Sequence, residues 1–209
     1  MKKEKLKIVY YLCIVIYILT LGYAFYKNIN NHYLGMTFVA GVTPFIVPAI
    51  VKLLKIKVPY EVYILNLVFV YFASLIGSCL GGYSTPYFDK FTHCASGVVI
   101  SEVIYIIYKY YLRDDHRKSL MFLFINAMNA MVALLWELYE YALLVFFNYD
   151  AIRHYATGVH DSMTDMLVAM VGGFVLSLYL IKFDQSSKSH FFVSLERNIQ
   201  KMNRFKKSC

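Results

Sequence analysis

Residues 120–147 read LMFLFINAMNAMVALLWELYEYALLVFF, and the only charged side chains among them are Glu137 and Glu140. A helix over this stretch spans about 42 Å at 1.5 Å per residue, more than a hydrocarbon core of roughly 30 Å. So long an apolar run does not belong to a soluble domain. Five further runs of similar character lie at Ile8–Tyr26, Tyr33–Leu54, Pro59–Leu80, Phe91–Leu112 and Met163–Ile181. The whole chain of 209 residues is 59% hydrophobic and only 16% charged, which is a membrane composition. No long polar segment, internal repeat or low-complexity tract interrupts it. The sequence therefore predicts an all-α, polytopic integral membrane protein, with a six-helix transmembrane domain over residues 1–185 and a basic tail over 186–209.

The net charge of +8 is unevenly placed. Lys2, Lys3, Lys5 and Lys7 precede the first helix. Lys52, Lys55 and Lys57 occupy the second loop, and Lys109, Arg113, Arg117 and Lys118 the fourth. The other loops hold Lys27, Lys90 and Arg153 alone. Basic residues stay on the cytoplasmic side, so both termini are expected inside, with loops one, three and five outside, in a bacterial inner membrane. The positive charge is then a topology signal and implies no nucleic-acid partner. The first apolar run is too long for a cleaved signal, and LGYAFYKN (residues 21–28) offers no small-x-small cleavage site. Cys13, Cys79, Cys94 and Cys209 have neither metal spacing nor a disulfide framework. Cys79 and Cys94, both near outer helix ends, are the one pair placed for a bridge.

The tail has its own pattern. Phe192, Leu195, Ile199, Met202 and Phe205 recur at helical spacing, with Arg197, Lys201, Arg204, Lys206 and Lys207 between them. That predicts a basic amphipathic helix after about Ser189, suited to an anionic cytoplasmic leaflet. The alternative is a frayed polar tail.

Intramembrane acids are costly, about 2.5–3.5 kcal/mol each on insertion scales, and usually face a partner. Three polar pairs share a helix face by spacing. They are Asp89 with His93, Glu137 with Glu140, and Asp161 with Asp165. The predicted topology puts all three near the outer surface. Each aspartate also has a structural reading. Thr85-Pro86 would start a helix with proline at its first position, leaving Asp89 at the favourable dipole end. Ser162 and Asp165 form a capping-box pattern, with Asp161 as another cap. The glutamates have no such role, since they lie in the half of their helix where the dipole disfavours anions. Either tilt lifts them to the headgroups, as neighbouring Trp136 would suit, or they join a cluster.

The cluster reading needs cations. Candidates are His93, His160, Lys90, Arg153, bound protons, or a divalent ion such as Zn²⁺, Mn²⁺ or Mg²⁺ held among Asp89, His93, Glu137, Glu140, Asp161 and Asp165. No spacing among these is a diagnostic metal motif. Glu102 lies deeper, about level with Asn129, and is read as its hydrogen-bonded partner or as a proton relay. Pro44 and Pro48 predict a kinked second helix, and Ala169 with Gly173 a close helix contact.

DKFTH (89–93), WELYE (136–140) and GVHDSMTDMLVAMVGG (158–173) together resemble the YjdF-like bacterial inner-membrane proteins. More distantly they are similar to the VanZ-like family, associated with teicoplanin resistance. The resemblance runs from about Tyr87 to Gly173. In the VanZ-like pattern Asp89, Lys90, His93, Glu137, Asp165 and Gly172 align. Glu140 and Ala169 depart from it, where glutamine and asparagine are usual, and the YjdF-like pattern accommodates both. The resemblance implies a multi-helix membrane fold with an acid/histidine cluster and no particular reaction.

Three functions compete. One is a metal-assisted enzyme acting on an envelope lipid or lipid-linked substrate, with Glu137, Glu140 and His93 as catalytic groups and Asp89, Asp161 and Asp165 completing the shell. Another is a non-catalytic, protective protein that binds a cation or lipid headgroup. The third is a proton- or cation-coupled transporter, which the absence of a visible repeat disfavours.

Overall fold

The computed structural model describes residues 2–31, 33–112, 117–151 and 155–203. Arg113, Arg153 and the tail residues from Arg204 onward lie outside them. The described residues form helices and no strand: α1 (Lys2–Asn28), α2 (Leu34–Val42), α3 (Ile46–Leu53), α4 (Tyr60–Val70), α5 (Phe88–Tyr111), α6 (Lys118–Phe147), α7 (Val159–Phe183) and α8 (Phe191–Asn203). Six stretches are long and apolar enough to cross a membrane: Glu4–Asn28, Leu34–Leu53, Tyr60–Cys79, Phe88–Tyr111, Lys118–Phe147 and Val159–Phe183. They coincide with the six expected runs to within a few residues. Their outward faces are apolar, with Leu19, Phe45, Leu123, Phe146 and Val175 all exposed. In a membrane such side chains meet acyl chains, where exposure carries no hydrophobic penalty.

The second span is broken as its prolines require. Pro44 sits in a single 3₁₀ turn, Thr43–Phe45, between α2 and α3. Proline cannot donate to the helical ladder, and the Pro44 carbonyl instead accepts from Asn66 Nδ2 at 2.9 Å. The third span shows something apolar patterning cannot reveal: its second half, Tyr71–Cys79, widens to a π-helix. Leu80 N–H closes it on the Leu75 carbonyl at 3.0 Å.

The expected helix start at Thr85-Pro86 is corrected. Tyr87 adopts φ 64°, and α5 begins after it at Phe88. α6 ends at Asn148, also left-handed (φ 52°), whose N–H caps the Leu143 and Leu144 carbonyls. Asparagine tolerates that conformation better than most residues.

The contacts sort the chain into two compact units, Met1–Phe88 with Arg197–Cys209, and Asp89–Glu196. In the first, α1 packs on α2 and α4. Its core holds Tyr17, Ala24, Ala40, Leu67, Leu75 and Cys79. Tyr17 OH donates to the Ala40 carbonyl at 2.7 Å. Asn28 Nδ2 donates to Thr37 Oγ1 at 3.1 Å and to the Cys79 carbonyl at 2.9 Å. Cys79 and Cys94 are free thiols, so no bridge joins them.

In the second unit α5 and α7 touch backbone to backbone. A Cβ at Gly97 would strike the Ala169 carbonyl, one at Gly172 the Cys94 carbonyl, and one at Gly173 Asn129 and Ser101. The small residues at 169 and 173 do mark a close approach, as expected. Gly97 and Gly172 make it closer still. The apolar face of α8 is covered by protein: Val193 belongs to the core with Tyr105, Tyr108, Leu176 and Leu180, and Leu195 and Ile199 are buried too. The helix expected from the tail's spacing forms over Phe191–Asn203, with Leu195 and Ile199 buried and Met202 exposed, and Phe205 lies outside the described residues.

Candidate functional site

The first turns of α5 and α7 carry the acids and bases that sequence spacing singles out. Lys90 is the hub. Its Nζ donates to Asp165 Oδ1 at 2.6 Å and to Asp161 Oδ1 at 2.9 Å, and lies 3.6 Å from Asp89 Oδ2. The Asp161 carbonyl is 3.4 Å away. His93 Nε2 lies 3.5 Å from Asp89 Oδ1 and 3.8 Å from Asp165 Oδ1. Asp161 and Asp165 are buried and Asp89 and His93 nearly so. One turn of α5 therefore supplies an acid, a lysine and a histidine, and one turn of α7 supplies two acids facing them. The helix dipole adds positive potential at both N-termini.

The capping roles considered for α7 do not occur. Its N-cap is Gly158, with no side-chain cap. Asp161 and Asp165 turn to Lys90 because an ammonium ion in a low-dielectric setting outcompetes a backbone N–H as their partner.

Glu137 answers the question raised by α6. It is 6% exposed while its neighbours Trp136 and Leu138 are 51% and 52% exposed, so it alone points inward. It interacts electrostatically with His93, Asp161 and Asp165, and Ser162 lies beside it. Its Oε2 is buried with no hydrogen-bond partner. Glu140 is half-buried and accepts from Trp136 Nε1 at 2.9 Å. His93 and Glu140 interact electrostatically as well. Among the described residues, five carboxylates thus gather round Lys90 and His93, an arrangement that favours bound protons or a further cation.

The tightest subset is smaller than the six residues considered from sequence. One ligand atom each from Asp89, His93 and Asp165 lies within 4.8 Å of the other two. Among the described residues Glu137, Glu140 and Asp161 stand outside that trio. Asp161 is engaged by Lys90 instead. His160 is exposed, and its hydrogen bonds among the described residues are backbone ones, its N–H to the Thr157 carbonyl and its carbonyl from Thr164.

Lys90 was weighed as one cation among several, and spacing gave no hint of its central place. Its partners come from α7, seventy-odd residues away. The Glu102–Asn129 pairing is not formed. Asn129 Nδ2 donates to the Ala169 carbonyl at 3.1 Å, and neither oxygen of Glu102 has a partner.

Comparison with known proteins adds one match. The family described as "Predicted membrane protein (DUF2238)" matches residues 8–186. No curated protein and no solved structure matches the chain. The match covers all six candidate spans and the acid/histidine cluster, and lends nothing to the VanZ-like resemblance.

Proposed function

Because the chain belongs to the DUF2238 family of predicted membrane proteins, we propose that its acid/histidine cluster acts on the polar head of an envelope lipid or lipid-linked substrate. The YjdF-like resemblance accords with that family. In this reading the protein sits in the bacterial inner membrane, with both termini cytoplasmic and the cluster near the outer face. The asymmetry of lysine and arginine between alternate loops supports that orientation.

The observation that carries the reading is the Asp89, His93 and Asp165 trio, with its ligand atoms within 4.8 Å. Two carboxylates and an imidazole suit a divalent ion such as Zn²⁺, Mn²⁺ or Mg²⁺. A metal held there would supply Lewis acidity toward a phosphoryl or carbonyl oxygen. The remaining work falls to the chain's own side chains. Lys90 holds Asp161 and Asp165 in place from α5. Glu137, buried and with one oxygen unengaged, is placed to accept a proton. Glu140, tethered by Trp136, faces the more open side and suits a second proton-transfer group.

A second reading rests on Lys90 itself. An ammonium at 2.6 and 2.9 Å already neutralises two of the acids. A cluster closed in this way would bind a lipid headgroup or cation without turnover, as a protective protein does.

Metal analysis of the purified protein, refilled with divalent ions and washed, tests the trio, and turnover separates the two readings. The enzyme reading expects stoichiometric metal that disappears in His93→Ala and in Asp89→Asn but persists in Glu61→Gln. A wild-type protein that retains no metal leaves the second reading standing. Turnover of extracted envelope lipids by wild type, lost in Glu137→Gln, then distinguishes catalysis from binding.

A further inference from the structure

Thirteen positions along α5 from Asp89 lies an acid of a different kind. Glu102 is 4% exposed, and both of its carboxylate oxygens are buried without a hydrogen-bond partner. The adjacent Ser101 hydroxyl is likewise unengaged. Glu196 of α8, itself buried, interacts electrostatically with Glu102. Tyr105, one turn along α5, interacts electrostatically with Glu102, Glu196 and Asp184. Asp184, at the end of α7, accepts from Tyr105 OH at 2.6 Å and pairs with Lys109 Nζ at 2.9 Å. The lysine at this end of α5 is thus engaged with Asp184.

An ionised carboxylate buried with neither oxygen engaged is costly, and the acid of Glu196 disfavours that charge further. A proton is the smallest species that removes both penalties. The burial of Glu196 depends on α8. That helix is held by Val193 among Tyr105, Leu176 and Leu180, and by the stacking of His190 on Phe183 at 3.9 Å between ring centroids.

We propose that Glu102 is a reversible proton-binding site whose proton is taken up as α8 docks, making the C-terminal helix a proton-linked latch. The balance is simple: docking moves one proton from water onto the Glu102 carboxylate, and release of α8 exposes Glu102 and Glu196 and returns it. The latch is independent of the chemistry at Asp89, His93 and Asp165.

Two measurements on the full-length protein in lipid test this. Infrared spectra read the proton: wild type minus Glu102→Gln should show the carbonyl stretch of an un-ionised carboxylic acid. Hydrogen-exchange protection factors over residues 191–203 divide out the intrinsic pH dependence and read the latch. Wild-type protection should fall about tenfold per pH unit wherever Glu102 holds its proton only in the docked state, the slope for one linked proton. In Glu102→Gln, a neutral isostere, protection should be flat across that range. Glu196→Gln should narrow the range by removing the neighbouring acid. The absence of a Glu102-dependent acid carbonyl overturns the proposal, as does an equally steep loss in Glu102→Gln. Should that variant fail to fold, pH-independent protection in wild type, or an unaltered range in Glu196→Gln, overturns it.

Discussion

The two units of this chain bury polar groups in opposite ways. In Met1–Phe88 the buried polar side chains are neutral, Asn28 and Thr37, and they satisfy one another and the Cys79 carbonyl. In Asp89–Glu196 the described residues bury Glu102, Glu137, Asp161, Asp165, Asp184 and Glu196. A neutral network contributes modestly and costs little to form. Buried acids give poor returns in stability even when well paired. A chain that merely had to fold in a membrane would do so with polar chemistry of the first kind. Among the described residues the second kind is confined to Asp89–Glu196, the unit that holds the proposed site.

That contrast can be broken by experiment. The largest effect is expected at the α5–α7 contact. Gly172→Val drives a side chain into the Cys94 backbone, so its cost should reach or exceed the upper end of the roughly 1–3 kcal/mol usual for overpacking. Gly22→Ala is the counterpart in the other unit, where nothing lies within 4 Å of the added carbon. It should be neutral or stabilising by up to about 1 kcal/mol. Thermal unfolding in detergent compares them, and similar losses in both would remove the special status of the α5–α7 contact.

Next comes Asp165→Asn, which deprives Lys90 of its shortest partner. Breaking such a pair costs about 3–5 kcal/mol when fully buried. Because Lys90 keeps some solvent access, about 2 kcal/mol is expected. Combining it with Lys90→Met should be less damaging than the sum of the two single changes, a coupling that a double-mutant cycle measures directly. Strict additivity would mean that Lys90 is not the hub.

Of the polar deletions the smaller effect belongs to Asn28→Ala, which removes hydrogen bonds to Thr37 and Cys79 and should cost about 1–2 kcal/mol. Metal content and the pH response of α8 should be unaffected. A change in either would show that the division between the units is artificial.

How much of this could be read before folding differs by residue. The six spans were legible because lipid imposes length and apolarity on each helix separately. The Pro44 break was legible because proline acts locally. The π-helical turns of Tyr71–Cys79 were not. Gly77 there lies against the Tyr83 ring and Gly82 against the Ile76 carbonyl, contacts that depend on how the following loop folds back. The pairing of Lys90 with Asp161 and Asp165 was hidden for a related reason: it depends on the register between α5 and α7, which no spacing within either helix encodes. Level along the helix makes Glu102 either a partner of Asn129 or a proton relay, and only packing shows that Asn129 is oriented to a backbone carbonyl on α7. Val193 and Glu196 sit inside an amphipathic pattern that fits a leaflet and a protein groove equally well. Only packing decides between them.

The glycine contacts of α5 and α7 have a mechanical consequence. Where Gly97 meets the Ala169 carbonyl and Gly172 meets that of Cys94, the spacing of the two helices is set by main chain against main chain, with only small side chains such as those of Cys94 and Ser101 close by. The pair therefore acts as a stiff two-legged strut, with Asp89, Lys90 and His93 on one foot and Asp161 and Asp165 on the other. Elsewhere a membrane of different thickness or lateral pressure can be absorbed by sliding flexible side chains past each other. Here that compliance is missing, so lipid stress reaches the acid/histidine cluster as whole-body tilt and leaves its internal distances nearly constant.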